Sequence, residues 1–117
     1  MISQGIIKSS NVIVRIKGSG VDLEKYHESN FPSFNRIKIL LSSRMLWDKG
    51  VKELREASNI LKEKYSDKIE FILSGLADQD NRAGVPTFYL KSWDDGDYVK
   101  WIGYQKNMVK IYQNSHI

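Results

Sequence analysis

Ile37-Lys-Ile-Leu-Leu-Ser-Ser43, running on into Arg44-Met-Leu-Trp-Asp-Lys-Gly50, and Ile69-Glu-Phe-Ile-Leu-Ser-Gly75 decide how this chain of 117 residues folds. Both aliphatic runs are short and end in small polar residues, as a buried strand does where it opens into a loop. Between them Val51, Leu54, Ala57, Leu61 and Tyr65 recur at three- and four-residue spacings, which predicts a helix with one apolar stripe. Asp48 is placed to cap that helix and Ser66-Asp67 to end it. Strand, loop, helix, strand is the βαβ crossover, so the chain is expected to be α/β, with a parallel sheet flanked by helices.

Downstream, Tyr98-Val-Lys-Trp-Ile102 reads as a third strand with Gly103 at its end. The Asp-, Asn-, Gly- and Pro-containing stretch from Leu76 to Gly96 reads as an insertion between sheet elements, with Pro86 opening a helical turn through Phe88, Tyr89, Leu90 and Trp93. Asn107 is placed to cap a last helix whose Met108, Ile111 and Tyr112 share a face, and a further strand is due at Ile117. Upstream, Val12–Ile16 reads as a strand set apart by Gly18-Ser-Gly20 and the Pro32 stretch to Asn35. Two parts are therefore expected: residues 1–36, a domain tail with an interdomain linker, and residues 37–117, the sheet domain.

Composition narrows the chemistry. The absence of cysteine excludes disulfides, thiolate zinc sites, iron–sulfur clusters and a Cys nucleophile, and suits the cytosol. No apolar run nears the ~18–20 residues of a bilayer span, and the Met1 region lacks the basic and apolar segments of a signal peptide. Residues 1–66 carry a net charge of +5 and residues 67–117 carry −1. A basic half suits an anionic partner such as phosphate, nucleic acid or a membrane surface, although much of the excess is ordinary solvated lysine.

Arg44 and Lys49 are the informative cations, because both lie in a strand-to-helix loop. In parallel α/β sheets ligands bind beyond the carboxyl ends of the strands, where Arg offers a planar fork for phosphate oxygens and Lys a point charge. The ordered set GSGVDLEKY, ILLSSRMLWDKGVKELREA, FILSGLADQDN and YVKWIGY resembles the retaining glycosyltransferases of family 4. That resemblance covers essentially the whole chain. It implies the GT-B fold of two facing Rossmann-like domains, of which residues 37–117 would be the first part of the carboxyl-terminal, nucleotide-sugar-binding one. It also implies that Arg44 and Lys49 hold the donor diphosphate, that Gly103 and Tyr104 lie beside the nucleotide base, and that Gly75 lines the same cleft.

The resemblance further implies sugar transfer from a nucleotide-diphosphate donor, a UDP-sugar, with no metal required. The acceptor would be a glycan or polyprenyl-linked saccharide in bacterial capsule, O-antigen or lipopolysaccharide assembly, with the parent enzyme cytoplasmic at the inner face of the plasma membrane. The family's Glu-x7-Glu segment, which grips the donor sugar, would fall beyond Ile117, and most of the acceptor-side domain would lie outside this sequence. The chain is therefore expected to be an inactive fragment whose open sheet edges favour self-association. A non-catalytic nucleotide-binding module and a basic RNA-binding domain are the alternatives.

Other motifs yield plainer readings. Asp95-Gly96-Asp97 matches the metal motif of the GT-A fold but is expected to be a turn before a strand. Asp78–Gly84 fails as a calcium loop, since its Gly falls at the seventh position and no Glu stands at the twelfth. Gly18-Ser-Gly20 lacks the third Gly of a dinucleotide fingerprint. His27 and His116 lack a constellation and are expected to be structural, and Trp47, Trp93 and Trp101 are expected to pack rather than to stack on RNA.

Overall fold

A computed structural model describes residues 18–30, 32–33 and 35–117. The expected strand Val12–Ile16 lies outside the described residues. Three strands, β1 (Ile37–Ser42), β2 (Ile69–Ser74) and β3 (Val99–Gly103), form one sheet in the order β1-β2-β3. Both pairings are parallel, with Ile37 opposite Ile69 through Ser42 opposite Ser74, and Phe71 opposite Val99. The helices are α1 (Val51–Tyr65), α2 (Thr87–Lys91) and α3 (Met108–Gln113). The parallel sheet expected from the two quoted runs forms, and its arrangement with the helices is Rossmann-like.

Side chains alternate between the two faces of a strand, and here the alternation separates two chemistries. Ile69, Phe71, Leu73 and Val99 are buried with Val51 of α1, Leu90 of α2, Met45, Val85 and Trp93 in one apolar core. On the opposite face Lys38, Glu70 and Lys100 form a charged band near the strands' amino ends: Lys38 lies 3.4 Å and Lys100 3.2 Å from the Glu70 carboxylate. Arg36 joins them at 3.1 Å and also binds Asp97 at 2.7 Å. At the carboxyl ends of the same face lie Ser42 and Ser74, with Tyr112 of α3 3.2 Å from the Ser42 hydroxyl.

The buried stripe of α1 departs from the sequence reading. Ala57 is exposed, and Ser58 is fully buried in its place. The Ser58 hydroxyl donates to the Arg55 carbonyl at 2.8 Å and accepts from the Trp93 indole at 3.0 Å, while the Tyr98 hydroxyl donates to the Ser58 carbonyl at 2.9 Å. Serine is chosen over alanine because the indole N–H, buried under the helix, requires an acceptor. Ser58→Ala is expected to cost about 1–3 kcal/mol in urea unfolding by orphaning that donor. The loss should shrink in a Trp93→Phe background; an equal loss there would assign the cost to something other than this bond.

The start of α1 also differs. Asp48 lies within a three-residue turn, Trp47–Lys49, and Gly50, with φ +76°, precedes the helix in place of the expected Asp48 cap. At the other end of the chain Asn107 caps α3 as expected, accepting from the Lys110 N–H at 3.3 Å. The chain then returns to β1: the Ile117 N–H donates to the Lys38 carbonyl at 3.3 Å and the Leu40 N–H to the Ile117 carbonyl at 2.7 Å, the pattern of a parallel ladder. β2 and β3 thus lie to one side of β1 and residues 116–117 to the other. His116 serves this return, its Nδ1 accepting from the Lys38 N–H at 3.0 Å and its Nε2 lying 3.1 Å from the Pro32 carbonyl.

Candidate functional site

The strands' carboxyl ends open into a cleft of about 440 Å³ lined by loops after all three of them. Ser42, Ser43 and Arg44 come from the end of β1 and its loop, Ser74 to Asp78 from the end of β2 and beyond, and Tyr104, Gln105 and Met108 follow β3. A sheet whose chain turns to the other side of its first strand leaves a crevice of this kind, because the loops on either side of that strand diverge.

Gly75 forms a wall where two loops meet. Its φ is +147°, and a Cβ there would stand 1.7 Å from the Ser43 carbonyl oxygen, so only glycine allows the β1 and β2 loops to approach. The Gly75 N–H donates to the Gly103 carbonyl at 2.8 Å, and the Gly75 carbonyl accepts from the Trp101 indole at 2.8 Å. Gly103, at φ +63°, turns the chain after β3 so that Tyr104 lines the cleft with 68% of its surface exposed.

The segment after Gly75 lies between β2 and β3, as an insertion does, and it is knitted to the loop after β1. The Met45 N–H donates to the Leu76 carbonyl at 3.0 Å, the Trp47 N–H to the Ala83 carbonyl at 2.8 Å, and the Val85 N–H to the Met45 carbonyl at 2.9 Å. Met45 is fully buried by this docking. The consequence for the two cations is that they face different surroundings. Arg44 lines the cleft and its guanidinium lies 3.3 Å from the Asp78 carboxylate, whereas the Lys49 ammonium sits 3.8 Å from Asp48 and is not among the lining residues. The fold brings together Arg44, Gly75 and Tyr104, with Gly103 just behind them.

Asp78 is the residue that sequence reasoning missed. It lies four residues beyond the end of β2, and in the sequence it reads only as part of a failed calcium loop. That loop is a turn closed on itself: the Asn81 N–H donates to the Asp78 carbonyl at 3.3 Å, and the Asn81 side chain accepts from the Ala83 N–H at 2.9 Å.

Asp95-Gly96-Asp97 is likewise a turn. The Asp95 carboxylate accepts from the Asp97 and Val99 N–H groups at 3.1 and 2.9 Å and from Lys62 at 2.6 Å. Burial opposes its ionisation, but the Lys62 ammonium and the two backbone donors outweigh burial and hold its pKa at about 2. Among the described residues no three His, Asp or Glu side chains gather into a metal-binding group. The three tryptophans pack as expected, Trp93 buried and Trp47 and Trp101 half-buried.

No protein-family model matches the chain. It is 33% identical over 119 aligned positions to the N,N'-diacetylbacillosaminyl-diphospho-undecaprenol alpha-1,3-N-acetylgalactosaminyltransferase of Campylobacter jejuni. The alignment takes in 92% of this chain and 29% of that enzyme, so the chain spans less than a third of the relative's length. A helix-flanked parallel sheet, consistent in general with a GT-B-type domain, thus accompanies distant homology to a sugar-transferring enzyme.

Proposed function

We propose that residues 37–117 form the donor-binding part of a family 4, GT-B glycosyltransferase, and that the cleft takes the diphosphate and base of a UDP-sugar. The observation that carries the reading is Arg44, an Arg at the mouth of a crevice at the carboxyl edge of a parallel sheet. An exposed guanidinium there suits bidentate contact with a diphosphate, and Tyr104, exposed on the same rim, suits contact with a base. The N-acetylgalactosaminyl transfer in the relative's name supports a sugar nucleotide as the ligand class.

In this reading Arg44 balances the charge that builds on the departing diphosphate as the sugar is transferred. Lys49 joins it by swinging its flexible stem away from Asp48, an exposed pairing that costs little to break. The acceptor, a glycan or polyprenyl-linked saccharide of bacterial surface polysaccharide assembly, would be held elsewhere than in residues 37–117.

Titration of the 117-residue chain with UDP, followed by calorimetry, tests the reading. Arg44→Ala is expected to weaken UDP about ten- to a hundredfold, as loss of a charge-assisted hydrogen bond to phosphate would. Lys49→Ala is expected to weaken it in the same direction, and Lys64→Ala, on the far end of α1, to leave it unchanged. UDP affinity that survives the Arg44→Ala, Lys49→Ala double substitution would sink the proposal.

A further inference from the structure

Among the described residues the cleft's lining holds one cation, Arg44, and one anion, Asp78, and they are paired at 3.3 Å. With the pair closed, the cleft presents no net charge to an approaching ligand. The two partners are not equally mobile. Asp78 sits in a backbone-closed turn, where Gly84 approaches so near that a Cβ on it would stand 1.9 Å from the Asp78 carbonyl oxygen. Arg44 is the long, flexible partner, with 67% of its side chain exposed against 29% for Asp78. Ala77, the neighbour of Asp78, is bridged to Met45, which holds the backbone beside Asp78 against the β1 loop.

From this geometry we infer that Asp78 is a resident counter-anion, a carboxylate that occupies the Arg44 guanidinium until an anionic ligand displaces it. Resting on the donor-site reading above, this adds that ligand entry is an exchange of one anion for another, with Asp78 setting how strongly charged a ligand must be to enter. A weak anion leaves the exposed pair closed. A diphosphate, carrying more charge and more acceptor oxygens than a carboxylate, takes the guanidinium from it. Asp78 then stays beside the bound phosphates, and its charge lowers their affinity.

Inorganic pyrophosphate, titrated into the full chain by calorimetry at low ionic strength, tests the exchange independently of any base or sugar. Asp78→Asn keeps the shape and removes the charge, and is expected to bind pyrophosphate about three- to tenfold more tightly than the unaltered chain. The gain should narrow in high salt, where exposed charges are screened, and should shrink when Arg44→Ala is added, because only the repulsion between Asp78 and the phosphates then remains. Asp78→Ser, checked by circular dichroism, supplies a second uncharged variant should the Asn variant fold poorly. Equal or weaker pyrophosphate binding in the folded variant, a gain undiminished by the loss of Arg44, or no binding by either protein would each overturn the inference. UDP separates the two claims. If the Asp78→Asn gain is seen with pyrophosphate but UDP binds no more tightly than pyrophosphate, the counter-anion stands and the nucleotide reading falls. If UDP binds through Arg44 and Asp78→Asn gives no gain with either ligand, the nucleotide reading stands and the counter-anion falls.

Discussion

Gly75→Ala is expected to destabilise the fold by about 3–5 kcal/mol and to abolish ligand binding in the cleft. The added methyl would stand 1.7 Å from the Ser43 carbonyl oxygen and 2.8 Å from its carbon, both of them backbone atoms that no side-chain rotation can move aside. The φ of +147° adds strain that an L-residue rarely accepts. Relief would require the β1 and β2 loops to separate, which breaks the Ser43 N–H bond to the Ser74 carbonyl. Gly103→Ala is the matching control. It too has positive φ, at +63°, but nothing lies within 4 Å of a Cβ there, so about 1–2 kcal/mol is expected. Urea unfolding of the two variants checks the difference, and equal losses would refute the argument from crowding.

The second large effect is expected at the opposite end of the sheet. Glu70→Ala removes a carboxylate whose side chain is 6% exposed and which Arg36, Lys38 and Lys100 share. A loss of about 2–4 kcal/mol is expected, below the full cost of stranding buried charges because the cations reach water. Burial raises the Glu70 pKa, but hydrogen bonds and charge from Lys100 and Lys38 outweigh it and leave the group below its ordinary value. Asp95 is held at about 2 in the same way. Both carboxylates therefore titrate lower in the folded chain than in the unfolded one. Their stabilisation is complete above the unfolded values, near pH 4–5, and drains away as pH falls toward 2. The Asp95 share, discounted for its partial exposure, is about 1 kcal/mol. Acid unfolding of Glu70→Gln should show a shallower decline between pH 5 and 2 than the unaltered chain; an unchanged slope would remove Glu70 from the account.

Much of this architecture could be read from residue order because two aliphatic runs of matching length flank one amphipathic segment, and little but a parallel pair accommodates that. What escaped was polar. Periodicity puts Ala57 in the buried stripe because it weighs hydrophobicity and cannot foresee that an indole from a distant loop needs the Ser58 hydroxyl as an acceptor. Asp48 was preferred to Gly50 for the start of α1 since capping preference is local, whereas the turn at Trp47–Lys49 follows from the docking of Met45 and Trp47 onto residues 76–85. That docking also separates the surroundings of Arg44 and Lys49, which lie close in sequence. Arg44, Gly75 and Tyr104 were legible as neighbours through the family resemblance, and the carboxyl ends of the strands bring all three to one edge of the sheet. Asp78 was not, as its partner is 34 residues away.

The bonds between the β1 loop and residues 76–85 carry one more consequence. Loops that meet a ligand commonly lose conformational freedom when they close on it, and that entropy is subtracted from affinity. Here Met45, Trp47 and Val85 have spent their backbone donors on one another's segments before any ligand arrives. The ordering cost of this wall is met during folding, so the wall behaves as one rigid jaw, and adaptation to differently shaped ligands falls to side chains such as those of Arg44 and Tyr104.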